Sequence, residues 1–128
     1  MSNTIIKTTG APSPIGPYNQ GIIAGNMLFI SGQIALDPLT GELDNADIKI
    51  EATRVMHNLE AILVEAGIGF DQVVKTTIFL SDMEMFSQVN DVYAAFFKGG
   101  VYPARETVAV KGLPKNVNVE ISMIACRK

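Results

Sequence analysis

The sequence predicts an α+β fold in which two helices cover one face of a mixed sheet of about six strands. Three observations lead to this prediction. Short apolar runs that alternate with period two and contain β-branched residues recur along the chain, as is typical of strands. Two longer segments repeat apolar residues at three- and four-residue intervals, as is typical of amphipathic helices. Glycine and proline breaks set the order as strands, helix, strand, helix and strands.

The first half of the chain predicts a hairpin and a helix. Strands are predicted over residues 20–24 and 27–34, on either side of a glycine-asparagine turn. The Pro/Gly-rich segment GAPSPIGPYNQG before them is expected to be an ordered loop. A helix is predicted over residues 47–66, and Gly67 supplies its C-terminal cap.

The second half predicts a strand, a helix and two further strands. The strand covers residues 73–80, and the helical spacing that follows it ends at Gly99-Gly100. That spacing is carried by Phe86, Val89, Tyr93, Phe96 and Phe97. The last strands, over 105–111 and 118–126, are joined by the turn-rich GLPKN and are expected to form an antiparallel pair. The sheet face without helices is expected to close against other copies of the chain.

The composition fits one domain that spans residues 1–128. The chain has 128 residues, of which 48% are apolar, and this is enough for a core of its own. Only 18% of the residues are charged, below the ~25% typical of soluble domains. Mean hydropathy is +0.25. Together these values suggest that oligomerisation covers part of the apolar surface.

Charge and cysteine content argue against several classes of function. The net charge is −3 and no run of like charges occurs, so a nucleic-acid partner is not expected. No apolar stretch approaches the ~18 residues of a membrane span, and the N-terminal residues lack a leader pattern, so we expect a cytoplasmic protein without membrane contact. With one cysteine, Cys126, and one histidine, His57, neither a metal site nor an internal disulfide is expected.

Arg105 is a candidate carboxylate-binding residue. Alternation places Arg105 and Thr107 on one face of their strand and Glu106 on the other. A guanidinium offers a planar fork of donors that matches a carboxylate, and Pro103 stiffens the approach to the strand. The alternative is a salt bridge on the surface or between subunits.

Glu120 is a candidate general acid or base. It interrupts the apolar pattern of the last strand on one face only. A carboxylate shielded among apolar neighbours has a raised pKa and can exchange protons with water near neutral pH. The alternative is an exposed glutamate, or one that pairs with Lys111 across the expected hairpin.

Smaller polar groups are further candidates for ligand contact. Tyr18 in the Pro/Gly loop offers a hydroxyl, and Ser31-Gly32 offers a hydroxyl and backbone N–H groups. Asn90 lies on the second predicted helix. A simple strand end at Ser31-Gly32 and a solvated helix residue at Asn90 are the alternatives. No G-x-S-x-G pattern supports a nucleophilic serine.

Five segments of the chain resemble, in order and spacing, the RidA/YjgF family of reactive-intermediate deaminases. These segments are APSPIGPYNQG (11–21), LFISGQIALDPLTGEL (28–43), NLEAILVEAG (58–67), VVKTTIFLSDMEMFSQVNDVY (73–93) and YPARETVAVKGLPKNVNVEISMIA (102–125). The resemblance spans nearly the whole chain.

The resemblance implies a chorismate-mutase-like fold and a homotrimer with a central β-barrel. Ligand sites would then lie in clefts between subunits. The implied activity is the hydrolysis of enamine and imine intermediates, such as 2-aminoacrylate/2-iminopropanoate and 2-iminobutanoate, to 2-oxo acids and ammonia. The substrates are small carboxylates, and no cofactor is implied.

The resemblance also assigns residue roles. Arg105 matches the family's carboxylate-binding arginine, and Glu120 matches the acidic residue that holds or activates water. The remaining substrate-binding positions are Tyr18, Ser31, Gly32, Asn90 and Thr107.

The chain departs from the commoner PARSC form of the family motif, because it reads PARET. Thr107 stands where many members carry cysteine, so no cysteine nucleophile is available there. Hydrolysis that needs only water and a carboxylate should survive this change, and Glu106 is expected to be tolerated on the opposite face. Two competing functions remain open. One is a non-enzymatic trimeric module that binds 2-oxo acids or regulates a partner, and the other is a ribonuclease or translation inhibitor, against which the acidic balance argues.

Overall fold

The computed structural model describes residues 3–128, which form two α-helices and one six-stranded sheet. Residues 1 and 2, which belong to the N-terminal segment predicted to lack a leader pattern, lie outside the described residues. The strands are β1 (Thr4–Ile6), β2 (Gly21–Ala24), β3 (Met27–Gln33), β4 (Val73–Leu80), β5 (Ala104–Ala109) and β6 (Val119–Cys126), and the helices are α1 (Ile48–Glu65) and α2 (Phe86–Ala94).

The first helix begins and ends where its sequence provides caps. The Asp47 side chain accepts a hydrogen bond from the Ile50 amide at 2.8 Å, which satisfies a donor of the first turn. Gly67 has φ +72°, and the next amide, of Ile68, donates to the Leu63 carbonyl at 2.9 Å. A glycine adopts this left-handed conformation without strain, so the predicted helix and its glycine cap are confirmed.

The second helix is shorter than its apolar spacing predicted. It ends at Ala94, and Phe97 has an extended backbone with φ −108° and ψ 114°. The Phe97 ring still packs on the Tyr93 ring, with 4.7 Å between centroids. The aromatic residues at the end of the spacing, such as Phe97, therefore lie in a loop. Their side chains are held by tertiary packing and not by helix formation. The predicted extent to Phe97 is wrong.

The N-terminal hairpin is confirmed, and a short strand extends it. β2 and β3 pair antiparallel across a two-residue turn in which Gly25 has φ +63°. β1 adds antiparallel to β2. Three residues are too few to show a period, which is why the sequence did not predict β1.

The sheet order is β1-β2-β3-β6-β4-β5, so the predicted pairing of β5 with β6 is wrong. β4 lies between them: it pairs antiparallel with β6 and parallel with β5. The chain passes from β4 through α2 to β5, and this helical crossover returns β5 parallel to β4 at the sheet edge. The cross-strand partner of Glu120 is Phe79 and not Lys111.

The two helices cover one face of the sheet, and the core lies between these layers. Ile78, Leu80 and Ile121 from the sheet are fully buried there, together with Met56 and Leu59 from α1. The opposite face carries half-exposed apolar side chains, including Phe29 and Val108 at 46% and 43% exposure. Exposed apolar surface of this kind is what the expected trimer would cover, and the trimer stays a prediction.

Candidate functional site

Glu120 lies in a cleft where β3 departs from regular pairing. The register between β3 and β6 shifts between Ile30 and Gln33, so Ser31 and Gly32 form an irregular segment beside Glu120. A methyl group built on Gly32 would lie only 2.7 Å from the Glu120 Oε2 atom. Glycine leaves room for the Glu120 carboxylate beside the backbone, and a larger residue here would force the carboxylate to move.

The Glu120 cleft has a volume of about 370 Å³ and a largely apolar wall. Tyr18 and Ser31 line it together with Glu120, and among the lining side chains Tyr18 is the one other titratable group. The Ser31 hydroxyl donates to the Asn19 carbonyl at 2.6 Å, so its oxygen is left free to accept from a ligand.

The Glu120 carboxyl has no ion-pair or hydrogen-bond partner within residues 3–128. The alternative prediction of a salt bridge with Lys111 is therefore wrong. Partial burial raises its pKa above the ordinary value of a glutamate. A carboxylate with this combination of burial and free lone pairs can hold a water molecule and exchange a proton with it.

The buried Gln20 side chain keeps the Pro/Gly loop in place over the cleft. Its Nε2 donates to the carbonyls of Thr8, Ala11 and Pro12, and its Oε1 accepts from the Thr8 amide at 2.7 Å. This closure orders the loop that carries Tyr18, as the sequence predicted. A glutamine next to a strand gave no sequence signal for this role, since its partners lie eight to twelve residues away.

Arg105 lies in a second cleft, of about 300 Å³, between β5 and α2. Its guanidinium carbon is 5.1 Å from the centroid of the Tyr93 ring and 5.6 Å from that of Phe86. No carboxylate lies within salt-bridge distance of Arg105 in the described part of the chain. The cation is thus held by aromatic faces, and its donors are left for an anion. Asn90 and Tyr102 line the same cleft.

A buried hydrogen bond fixes the Tyr93 ring that contacts Arg105. Its hydroxyl donates to the Thr76 Oγ1 at 3.0 Å, and both groups are buried. Burial raises the pKa of Tyr93, while the Thr76 hydrogen bond and the Arg105 charge oppose that increase. The sequence predicts Phe86 and Tyr93 only as part of the apolar spacing of the second helix. Their seven-residue spacing, which is two helical turns, places both on one face of α2, and this was the available signal that they lie together.

The two residues that distinguish this chain from the commoner motif lie on opposite faces of β5. Glu106 forms an ion pair with Lys75 at 3.0 Å and accepts a hydrogen bond from Thr77. The Thr77 hydrogen bond and then Lys75 lower the pKa of Glu106. Thr107 lies on the Arg105 face, and its buried Oγ1 has no hydrogen-bond partner within residues 3–128.

Arg105 and Glu120 project from opposite faces of the sheet within one chain. Arg105 pairs with Thr76 of β4, whose side chain is buried beneath the helices. Glu120 pairs with Phe79 of β4, three residues along and therefore on the face without helices. The structure thus divides the predicted site residues into two sets: Tyr18, Ser31, Gly32 and Glu120 in one cleft, and Asn90 and Arg105 in the other, with Thr107 on the Arg105 face.

Other chemistry has little support in residues 3–128. No group of three or more His, Cys, Asp or Glu side chains there could hold a metal ion. His57 lies at the helix surface, with its Nδ1 3.3 Å from the Glu60 carboxylate and its ring edge-on to Phe96. None of the described helices combines the length and apolar character that a bilayer crossing requires.

Comparison with known proteins identifies the family. Residues 8–127 match the family described as Endoribonuclease L-PSP. A RutC family protein of Pyrococcus horikoshii is 49% identical over 124 residues, which cover 97% of this chain and 98% of that protein. The 2-iminobutanoate/2-iminopropanoate deaminase of Escherichia coli K12 is 45% identical over 130 residues, with complete coverage of both.

A solved structure agrees over almost the whole length. The crystal structure of a protein of the conserved Rid family from Yersinia pestis superposes with a TM-score of 0.95 at 47% identity, and the match covers 98% of this chain and 99% of that one. The order of strands and helices described above is therefore the fold of these proteins. The chain belongs to the Rid (RidA/YjgF) family, which the family description calls Endoribonuclease L-PSP.

Proposed function

We propose that the protein is a 2-iminobutanoate/2-iminopropanoate deaminase, which hydrolyses reactive 2-imino acids and their enamine tautomers. The reaction adds one water molecule to the C=N bond and yields a 2-oxo acid and ammonia. The name of the Escherichia coli relative, 45% identical over the full length, supports this reaction. The protein would act in the cytoplasm, beside the pyridoxal-phosphate-dependent dehydratases that release such intermediates.

The catalytic site in this proposal lies between two subunits of a homotrimer. Arg105 and Glu120 are on opposite faces of one sheet, so one chain cannot bring both to a substrate as small as 2-iminobutanoate. A neighbour that covers the apolar face of the sheet could bring its own Arg105 cleft against the Glu120 cleft. The half-exposed Phe29 and Val108 on that face give such contact a hydrophobic driving force.

Arg105 would bind the substrate carboxylate with two parallel hydrogen bonds. The Phe86 and Tyr93 rings fix the plane of the guanidinium, so little side-chain entropy remains to be lost on binding. Asn90, at the same cleft, would add a polar contact. The imine carbon is one bond from the carboxylate, so it is then held at a defined distance from the Glu120 cleft of the neighbouring subunit.

Glu120 would act on the attacking water. Its carboxylate takes one proton as the water oxygen bonds to the imine carbon, and a carbinolamine forms. The same group returns this proton to the nitrogen, so that the carbinolamine is neutral. The hydroxyl proton of the carbinolamine then passes through the Glu120 carboxylate to the nitrogen as the C=O bond forms, the C–N bond breaks with its electron pair on nitrogen, and ammonia leaves. Because water is the nucleophile, the absence of cysteine at Thr107 does not block the reaction.

The observation that carries this proposal is the state of Glu120: a partly buried carboxyl with a raised pKa, close to Gly32, and without a hydrogen-bond or ion-pair partner among residues 3–128. To test it, a serine dehydratase generates 2-aminoacrylate in situ and pyruvate release is followed. We expect the wild type to accelerate release, Arg105→Ala to lose most of the effect, and Glu120→Gln to lose nearly all of it. Glu65→Gln, at the exposed end of α1, is the matched control. No acceleration by the wild type would overturn the proposal.

A second function, non-enzymatic binding of 2-oxo acids, is favoured by the independence of the Arg105 cleft. That cleft is complete within one chain and needs no residue from the Glu120 cleft. Calorimetric titration with 2-oxobutanoate separates the two functions. Binding that needs Arg105, without acceleration by the wild type, would favour the binding module. We do not propose ribonuclease activity, because the chain carries 13 acidic residues against 10 lysines and arginines.

A further inference from the structure

Helix α1 directs two buried polar side chains toward the backbone around the Glu120 cleft. Glu51 and Asn58 are both 0% exposed. They are seven residues apart, which is two helical turns, so they lie on the same face of α1. Buried polar groups are costly unless hydrogen bonded, and the position of their partners indicates what they stabilise.

Glu51 holds the first residues of β6. Its carboxylate accepts hydrogen bonds from the Asn118 amide at 2.8 Å, the Asn118 Nδ2 at 2.9 Å and the Val119 amide at 3.3 Å. No cation lies within 4.0 Å of it in the described part of the chain. Asn118 is held from the other side as well, since its carbonyl accepts from the Ser81 amide at 2.9 Å and its Oδ1 from the Ser81 hydroxyl at 3.1 Å. Glu120 is the next residue after this fixed pair.

Asn58 holds the opposite wall of the same cleft. Its Nδ2 donates to the carbonyls of Ile34 at 3.1 Å and Leu36 at 2.9 Å. Both of these residues line the Glu120 cleft, and they follow directly after the irregular Ser31-Gly32 segment. The backbone on each side of Glu120 is therefore attached to one rigid helix.

The Glu120 carboxylate lies close to the Gly32 backbone. A methyl group on Gly32 would come within 2.7 Å of the Glu120 Oε2, so a displacement of either wall changes the distance between the carboxylate and this backbone. We propose that Glu51 and Asn58 are positioning residues, which fix the separation of the two walls and thereby hold the Glu120 carboxylate against Gly32. The effect on catalysis rests on the proposed deaminase function, whereas the effect on Glu120 itself does not.

Glu51→Gln is the main test, because it keeps the shape and changes the hydrogen bonding. All three partners of Glu51 are donors, and the introduced NH₂ group would face the Asn118 Nδ2. Relief requires Asn118 to flip, so that the Ser81 hydroxyl, which donates to the Asn118 Oδ1, must turn and accept from the Nδ2. We expect kcat for 2-aminoacrylate hydrolysis to fall by roughly tenfold to a hundredfold, as is usual when a catalytic group is displaced by about 1 Å. KM should change little, since the Arg105 cleft is untouched.

Asn118→Asp provides a rescue that a general loss of stability would not show. In the double variant with Glu51→Gln, the new carboxylate can accept from both the introduced NH₂ group and the Ser81 hydroxyl. The contact between positions 51 and 118 is restored with donor and acceptor exchanged. We therefore expect the kcat of the double variant to lie within about threefold of the wild type, which would be a large coupling energy between two residues in direct contact. Asn58→Leu, which removes the bonds to the opposite wall, should lower kcat in the same direction.

Ile62→Val is the matched control, because Ile62 lies on α1, is as fully buried as Glu51 and does not line the Glu120 cleft. The substitution costs about 1 kcal/mol of stability. A second readout does not depend on activity: the pKa of the Glu120 carboxyl, measured by ¹³C NMR with Glu120→Gln as the assignment control. Glu51→Gln should move this pKa toward the ordinary value as the cleft loosens, and Ile62→Val should leave it unchanged.

The outcomes separate the two proposals. If the wild type does not accelerate the reaction, the deaminase function fails and the Glu120 pKa still decides the positioning role. If the wild type is active but Glu51→Gln matches Ile62→Val in kcat and in the Glu120 pKa, the positioning role is overturned. Loss of kcat in Glu51→Gln that Asn118→Asp does not restore would likewise overturn it.

Discussion

The Glu120 cleft and the Arg105 cleft are built by different means. Around Glu120 the precision comes from backbone: an irregular strand segment, a glycine that leaves room, and buried side chains that bind main-chain groups. Around Arg105 it comes from aromatic faces on a helix beside an edge strand. A group that must hold water needs fixed distances, whereas a cation that binds an anion needs mainly orientation. Because the two clefts are built differently, each half of the proposed site can be disturbed separately.

Among the variants that keep both Arg105 and Glu120, the largest effect is expected from Gly32→Ala. The added methyl group would meet Glu120 Oε2 at 2.7 Å and must displace the carboxylate. We expect kcat for imine hydrolysis to fall by about a hundredfold, while binding of 2-oxobutanoate through Arg105 is retained. Gly112→Ala is the matched control, since nothing lies within 4 Å of the corresponding position there. Equal kcat values for the two alanine variants would show that clearance at Gly32 is unimportant.

A smaller effect is expected on the Arg105 side from Tyr93→Phe. This change keeps the ring beneath the guanidinium and removes the hydrogen bond to Thr76. The lost hydrogen bond, worth about 1 kcal/mol of fold stability, holds the ring in place beneath the guanidinium, so KM or the 2-oxobutanoate Kd should rise by at most roughly fivefold with kcat preserved. Thr76→Val removes the same bond from its other end and should have the same effect. A fall in kcat without a change in KM would contradict the division between the clefts.

The raised pKa of Glu120 predicts opposite effects of pH on activity and stability. The carboxylate form is needed to take a proton from water, so kcat/KM should increase as the pH rises through this pKa, above the ordinary glutamate range. Folding favours the protonated form, so the stabilising contribution is full below the unfolded-state pKa and is lost as the pH rises through the folded-state pKa. Glu120→Gln should therefore raise Tm at neutral pH and not at acid pH. A fall in Tm at neutral pH would contradict the burial effect.

The smallest effect is expected from Glu106→Gln. Glu106 lies on the face of β5 opposite Arg105 and is paired with Lys75 and Thr77 in an exposed setting. Its pKa is lowered, so its contribution to stability is present above the unfolded-state pKa and is lost as the pH falls through the folded-state pKa. Exposed pairs are screened by solvent, and we expect kcat/KM within about twofold of the wild type. A larger loss would mean that this face of β5 takes part in the site.

Local pattern was sufficient for most elements of the fold. The spacing that predicted the first helix, its glycine cap and the β2–β3 hairpin involves neighbours within one or two turns, and these elements are confirmed. The second helix was predicted too long because Phe97 keeps an apolar environment through ring packing in an extended segment. Apolar spacing reports which side chains are buried, and it does not report by itself which backbone conformation buries them.

The candidate residues were found from sequence, but their grouping was not. Alternation correctly placed Arg105 and Glu106 on opposite faces of one strand. It could not show which strands are neighbours, and the expected β5–β6 hairpin concealed the insertion of β4. Once β4 lies between them, Arg105 and Glu120 fall in separate clefts. That separation is what makes a site between subunits the natural arrangement for the proposed reaction.

Sequence pattern was enough to predict most of the helices and strands, the two faces of each strand and the chemical groups at the candidate site. It could do so because periodicity and side-chain chemistry are local properties of the chain. The strand order, the close approach of Glu120 to Gly32 and the partners of Glu51 and Asn58 became visible only in the tertiary structure. Those partners lie 67 to 68 and 22 to 24 residues away, so they are selected by packing between layers and leave no local pattern.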